Sequence, residues 1–107
     1  MKTLKQDIFF SLLKDLVQTD CQVILPFSGT SMLPTILPNH DIKLVKIQNL
    51  ELNKVYVYVD TFSPTKRLVC HRLIKIDNKV AYFKGDNRNQ MDWPVPLSMI
   101  IAEVALL

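Results

Sequence analysis

The sequence has few of the features that mark disulfide-rich, secreted or membrane-spanning chains. Its two cysteines, Cys21 and Cys70, form no C-x-x-C pair and suggest no disulfide framework. No apolar run reaches the ~18 residues that a membrane-spanning helix needs. Lys14 and Asp15 interrupt the N-terminal apolar stretch where a secretory signal would be continuous. These absences predict a cytoplasmic protein with buried free thiols, and a Cys21–Cys70 disulfide stays open only for an oxidising compartment.

The chain also has no large excess of positive or negative charge. The net charge of the 107 residues is +3, and no dense tract of lysine and arginine is present, so nucleic acid is not a predicted partner. Hydrophobic residues make up 49% of the chain and charged residues 21%, which is typical of a globular domain and excludes disorder. We expect one domain over residues 1–107, with a helix in 1–20 and a β-rich core in 21–107.

The N-terminal segment has helical periodicity. Apolar residues recur every four positions, which predicts an amphipathic helix over residues 3–18. The stripe consists of Leu4, Ile8, Leu12 and Leu16, widened by Phe9, Leu13 and Val17. We expect this stripe to pack on the domain. The alternative is a helix at a membrane surface, favoured by Phe9 and Phe10 beside lysines, which would make the protein peripheral at the inner face of the membrane.

From residue 21 onward the pattern changes to short apolar runs separated by turn residues. One helix followed by several short strands predicts a mainly β fold, a curled sheet or barrel, rather than alternating strands and helices. The predicted strands are Cys21–Phe27, Asp41–Ile47, Val55–Val59, Leu68–Ile76, Val80–Lys84 and Ile100–Leu106.

Glycine is restricted to two positions, Gly29 and Gly85, and neither lies in a simple hairpin turn. Glycine permits a positive φ or a close approach of the backbone to another group. Gly29 lies two residues before Ser31, and Gly85 directly precedes Asp86. We therefore expect backbone geometry to matter at Ser31 and Asp86.

Ser31 is a candidate nucleophile because it follows an apolar strand and a glycine and precedes a proline. A serine needs a neighbouring base, and a turn serine more often bonds only its own backbone. The chain has two histidines. His40 lies in an exposed turn sequence, whereas His71 lies in an apolar strand, on the same predicted face as Val69 and Leu73. Such a buried imidazole requires a partner.

The polar segment after the fifth predicted strand, residues 84–93, contains two carboxylates, Asp86 and Asp92. One could orient an imidazole, and the other could bond backbone N–H groups of the loop. Two carboxylates and a histidine without characteristic spacing are a poor metal site, so neither a metal nor a cofactor is predicted.

Four sequence boxes resemble those of type I signal peptidases and LexA-like peptidases. Residues 29–35, GTSMLPT, resemble the box around the family's nucleophile, and residues 41–45, DIKLV, resemble the strand that follows it. Residues 70–74, CHRLI, resemble the box of the general base, and residues 84–87, KGDN, the G-D-N box. The boxes occur in the family's order, and a strand like the family's closing strand follows at residues 100–104.

The resemblance implies a serine endopeptidase with a curled β fold. Ser31 would be the nucleophile, and His71, in place of the more common lysine, would be the general base, as in the histidine subtype of signal peptidases. Asp92 would complete the site, and Asp86 would be structural support. The Ser31 N–H would stabilise the oxyanion. Gly29, Thr30 and Met32 belong to the same box, which Ser28 directly precedes, and either Thr30 or Ser28 would add a second donor.

The family's substrates bind as an extended strand, which implies a peptide or protein precursor as partner. The N-terminal helix could add a membrane surface or a membrane protein. Two alternatives remain at this stage. One is a LexA-like regulator that cleaves itself, which needs a cleavable segment that reaches Ser31. The other is a peptide-binding module that keeps the fold without turnover, although such a module has no need of Ser31, His71 and Asp92 together.

Overall fold

The computed structural model describes the backbone of residues 2–106 and the side chains of residues 8–106. One helix precedes an antiparallel sheet that curls into a half-barrel. The elements are α1 (Lys2–Gln18), β1 (Val23–Pro26), β2 (Asp41–Val45), β3 (Val55–Asp60), β4 (Arg67–Asp77), β5 (Val80–Lys84), β6 (Val95–Pro96), a 3₁₀ turn (Leu97–Met99) and β7 (Ile100–Ala105). The strand order is β1-β2-β7-β3-β4-β5-β6. The predicted mainly β fold with one N-terminal helix is confirmed.

The predicted strands correspond to β1 to β5 and β7, and they differ from the observed strands only at their ends. β6 was not predicted. It contains two residues, Val95 and Pro96, and so has no alternation for a sequence pattern to detect. β6 pairs with the start of β5 and returns the chain to the sheet after the polar segment 84–93.

The centre of the sheet is β3, which pairs with β7 on one side and β4 on the other. Its sequence, VYVYVD, alternates valine and tyrosine, and the two residue types face opposite sides of the sheet. The valines belong to the core cluster beneath α1, and Tyr56 and Tyr58 belong to a second cluster around Phe83. β3 therefore separates two cores.

β4 is the longest strand, and it changes partner along its length. Residues 67–72 pair with β3, and residues 72–77 pair with β5, with an irregularity in register between Leu73 and Lys75. A bulge of this kind bends a strand and increases its local twist. His71 lies just before the change of partner. The predicted strand thus carries His71 to the point at which the sheet curls.

The buried face of α1 differs from the predicted one. Leu13 and Val17 are buried, and Phe10 packs against the same core, whereas Ile8, Phe9, Leu12 and Leu16 are about half exposed. Leu4 lies outside the residues whose side chains are described. The helix packs mainly on β7 through Phe10, Leu13 and Val17, which are three and four residues apart. Of the residues that were predicted to widen the stripe, Leu13 and Val17 reach the core and Phe9 does not. The prediction of the every-fourth-residue stripe as the docking face was therefore wrong.

None of the helical segments within residues 2–106 is long and apolar enough to cross a bilayer.

The two neighbouring leucines of α1 provide a matched test of this packing. Leu13 is 5% exposed and Leu12 is 57% exposed. We expect Leu13→Ala to lower the free energy of unfolding by about 2–5 kcal/mol, because it leaves a cavity between α1 and the sheet. Leu12→Ala should change it by less than about 0.5 kcal/mol. Urea denaturation of both variants measures the difference, and equal losses would contradict the observed face of the helix.

Candidate active site

His71 projects from β4 into the second core cluster, opposite Tyr56 of β3. His71 is 6% exposed, and it is the one buried polar or charged residue among the described residues. Val69 and Leu73 pack in the same cluster, as the predicted alternation required. Cys70 and Leu68 pack in the opposite cluster. The alternation of side chains along β4 therefore places the imidazole on the face of the sheet that packs against the second cluster.

The buried imidazole is bonded to Asp92. Its Nδ1 lies 2.5 Å from Asp92 Oδ2, and the Tyr58 hydroxyl donates a second hydrogen bond to the same oxygen, also at 2.5 Å. Asp92 is held in place by its own N–H, which donates to the carbonyl of Phe83 at 2.8 Å. The chain from Tyr58 through Asp92 to His71 thus joins β3, β4 and the polar segment.

The ionisation of Asp92 determines which imidazole nitrogen carries the proton. Burial opposes ionisation of this carboxyl, but hydrogen bonds from His71 and Tyr58 outweigh it and lower the pKa below its ordinary value. Burial also raises the pKa of Tyr58, which therefore remains a donor. An ionised carboxylate has no proton and can only accept hydrogen bonds. Nδ1 of His71 therefore carries the proton in this hydrogen bond, and Nε2 is left as an acceptor.

Ser31 lies in a turn between β1 and β2. Gly29 enters this turn with φ +89°, a conformation that residues with a Cβ rarely adopt, and the Leu33 N–H donates to the Thr30 carbonyl at 3.2 Å. The N–H groups of Ser31 and Met32 donate to no residue in the described part of the chain. Met32 is fully buried and anchors the turn in the core.

The turn is attached to the loop that follows β5. The Asn87 N–H donates to the Ser31 carbonyl at 2.8 Å, and the Asn87 side chain donates to the Thr30 carbonyl at 3.1 Å. Gly85 lies between the turn and His71. A Cβ at Gly85 would lie 2.7 Å from the Ser31 carbonyl oxygen and 3.1 Å from His71 Nε2. The second glycine therefore permits a close approach, as the scarcity of glycine predicted.

The same distances relate the two predicted catalytic residues. The Ser31 carbonyl oxygen and His71 Nε2 both lie close to the position that a Cβ at Gly85 would occupy. The distance between these two atoms is therefore no greater than the sum of their distances from that position. Nε2, which faces the Ser31 turn, is the nitrogen that is free to accept. The Ser31 hydroxyl makes no hydrogen bond to any described residue. Catalytic hydrogen bonds are often long before substrate binds, so this geometry is compatible with a nucleophile and its base.

Asp86 directly follows Gly85 in the chain, and its carboxylate bonds to residues other than His71. Arg72 donates to both carboxylate oxygens at 2.9 and 2.8 Å, and Thr35 donates to one of them at 2.5 Å. The Asp86 N–H also faces Met32 Sδ at 3.4 Å. Asp86 thereby ties the Ser31 turn to β4 without touching the imidazole.

The remaining polar candidates lie elsewhere. His40 is exposed, as predicted. Both cysteines are free, but only Cys70 is buried, so the predicted burial of Cys21 was wrong. Burial raises the pKa of the Cys70 thiol to about 12, which leaves it protonated and unreactive. Among the described residues, no three His, Cys, Asp or Glu side chains lie together as a metal site would require.

Sequence reasoning missed Tyr58, whose hydroxyl donates to Asp92. The alternation of valine and tyrosine in β3 placed Tyr58 on one face, but which face meets His71 depends on the pairing of β3 with β4. Ser28 and Thr30 are exposed, and their side chains bond to no other described residue. Both hydroxyls are therefore without a competing partner among the described residues.

Comparison of the chain with protein-family models, with curated proteins and with solved structures found no significant match.

Asp86 makes the stability of the fold depend on pH. Hydrogen bonds from Arg72 lower the pKa of this carboxyl against the opposing effect of burial, and Thr35 adds to the lowering. Because the folded pKa lies below the unfolded value of about 3.9, the stabilisation is complete above that value and is lost as the pH falls through the folded pKa.

We therefore expect Asp86→Asn to lower the free energy of unfolding by roughly 1–3 kcal/mol at pH 7, and by less at pH 3. Urea denaturation at both pH values measures this difference. Asp77→Asn, at an exposed position of the β4–β5 hairpin, is the control and should have little effect at pH 7. A difference between wild type and Asp86→Asn that stays constant between pH 7 and pH 3 would contradict the assignment.

Proposed function

We propose that this chain is a serine endopeptidase of the signal peptidase-like type that cleaves a peptide or protein precursor. Ser31 is the nucleophile, His71 the general base, and Asp92 the residue that orients His71. The observation that carries the proposal is the position of His71. Its Nδ1 is bonded to the buried Asp92, and its Nε2 faces the turn that presents Ser31. The resemblance of the sequence boxes supports the same assignment.

The reaction follows from these positions. His71 Nε2 takes the proton of the Ser31 hydroxyl as the oxygen attacks the scissile carbonyl carbon. The imidazolium that forms is stabilised by the Asp92 carboxylate at Nδ1. His71 then gives the proton to the leaving amine, and the carbon–nitrogen bond breaks to leave an ester on Ser31. Water, deprotonated by His71, hydrolyses this ester and restores the hydroxyl.

The oxyanion of the tetrahedral intermediate requires donors next to Ser31. The N–H groups of Ser31 and Met32 have no acceptor among the described residues, so they are available for this purpose. The Ser31 N–H is our assignment for the first donor. The side chains of Ser28 and Thr30 remain the two alternatives for the second.

The sheet offers an edge for an extended substrate. Residues 67–71 of β4 pair with β3 on one side, and no described strand pairs with them on the other side, since β5 begins to pair at Arg72. This free edge ends at His71. A substrate strand added there would bring its scissile bond towards the imidazole, in agreement with recognition by strand addition.

We place the enzyme in the cytoplasm, with a precursor peptide or protein as its substrate. The half-exposed apolar face of α1, formed by Ile8, Phe9, Leu12 and Leu16, is a second contact surface in this proposal. A membrane surface or a membrane protein is the partner that it would suit, because the lysines at positions 5 and 14 neighbour these apolar residues in the sequence.

The experiment that tests the proposal is cleavage of a peptide library by wild type and by Ser31→Ala, with products identified by mass spectrometry. We expect cuts by wild type and a rate lower by several orders of magnitude in the variant. The variant removes one small hydroxyl that bonds to no described residue, so its free energy of unfolding should be unchanged. Equal cleavage by both proteins, or by neither, would overturn the proposal, and a shortened wild-type chain would favour self-cleavage instead.

The role of Asp92 predicts a separate effect. Asp92→Asn should lower kcat/KM by roughly 10³–10⁴-fold, because an amide can donate to Nδ1 and leave the wrong nitrogen protonated. Asp86→Asn should mainly lower stability, since Asp86 bonds Arg72 rather than His71. In wild type, kcat/KM should fall on acidification, because only neutral imidazole accepts the serine proton. A larger loss of rate in Asp86→Asn than in Asp92→Asn would reverse the two assignments.

A further inference from the structure

A cavity of about 140 Å³ lies against His71 on the side of Asp92. Tyr58 and Val95, which are buried, and Val69, which is partly buried, form its apolar part, and exposed side chains surround its opening. Ser31 does not line it. Since one water occupies about 30 Å³ in the liquid, the cavity has room for an apolar side chain.

Two aromatic rings stand at the opening of this cavity. Phe62 and Trp93 are 64% and 72% exposed, the highest exposures among the large apolar side chains of the described residues. Their ring centroids are 5.8 Å apart, with the planes tilted by 32°. The Phe62 N–H donates to Asp60 Oδ1 at 2.9 Å, which holds the segment in place. Exposed aromatic surface beside a cavity is typical of a binding site.

Charged side chains surround the two aromatic rings at the opening of the cavity. Asp60 is paired with Arg67 at 3.4 Å, and Asp92 is bonded to His71 and Tyr58. Arg88 makes no hydrogen bond or ion pair with its side chain to another described residue, although it is close enough to Asp92 to contribute to the lowering of its pKa. A cationic side chain entering the cavity would therefore approach an unpaired guanidinium.

The position of the imidazole assigns the cavity to one part of a substrate. A general base in this chemistry must reach the serine oxygen and then the leaving amine, so the amine departs beside the imidazole. His71 borders the Ser31 turn through Nε2 and borders the cavity together with Asp92. A chain that continues beyond the leaving amine passes over the imidazole towards the cavity.

We propose that this cavity binds an apolar side chain from the first residues after the scissile bond. The inference rests on the proposed peptidase function and adds a substrate preference to it. Leucine-sized or aromatic side chains contact Val69, Val95 and the Phe62–Trp93 pair. Lysine and arginine are disfavoured by Arg88. Arg67, Val69 and His71 line the cavity and also belong to the free edge of β4, so a strand added at that edge is the segment that follows the cut.

Trp93 is the only tryptophan of the sequence, so its fluorescence reports on the cavity directly. The probes are three pentapeptides with free amino termini, LGSGS, GGSGS and KGSGS, which represent the leaving segment. We expect the leucine peptide to give a saturable blue shift of Trp93 emission, with affinity roughly tenfold above that of the glycine and lysine peptides. Phe62→Ser should remove this difference. Leu52→Ser, at an exposed position outside the cavity, should keep it.

Cleavage provides the second measurement. Wild type should favour peptides with an apolar residue in the first two positions after the cut, and Phe62→Ser should lose this preference while it still cleaves peptides with glycine there. Cleavage without such a preference, or no emission change at millimolar leucine peptide, would overturn the inference and leave the peptidase proposal standing. An emission change without cleavage of any peptide would overturn the peptidase proposal, and with it the assignment of the cavity to a leaving segment.

Discussion

The close contact between the Ser31 turn and the loop after β5 is the constraint on which the candidate site depends. Asn87 bonds the carbonyls of Ser31 and Thr30, and Gly85 lets this loop pass between the turn and His71. A side chain at position 85 would occupy space within 2.7 Å of the Ser31 carbonyl oxygen. The separation of Ser31 from the imidazole is therefore set by backbone contacts, which hold it more rigidly than two flexible side chains would.

The two aspartates of the polar segment lie six residues apart in the sequence and have different partners in the fold. Arg72 neutralises Asp86 and Thr35 donates a hydrogen bond to it, so that Asp86 connects the Ser31 turn to β4. Asp92 accepts from His71 and Tyr58 and so specifies the imidazole tautomer. One carboxylate positions the Ser31 turn and the other positions the proposed base. Because neighbouring side chains on β4 alternate between faces, His71 and Arg72 reach different aspartates from adjacent positions.

The curl of the sheet connects this site to its surroundings. β4 leaves β3 and joins β5 near His71, so an unpaired edge and an aromatic-rimmed cavity both end at the imidazole. A straight β4 paired along its whole length would cover that edge. The sheet itself separates the core beneath α1 from the core around Phe83, and His71 lies on the face of β4 that packs against the second core. The free edge on the proposed substrate side exists because β5 ends opposite Arg72.

Local pattern was enough to predict the helix, six strands and the face of His71, because alternation and turn residues act over a few positions. The same patterns identified Ser31, Asp86 and Asp92 as polar residues at chain turns. Tertiary structure alone decided that Leu13 rather than Leu12 is buried, because the contact between α1 and the sheet covers only part of the apolar face of the helix. It also brought Tyr58 to Asp92 and Phe62 to Trp93, because strand register and loop path determine which distant side chains meet. Sequence spacing contains no information about those distances.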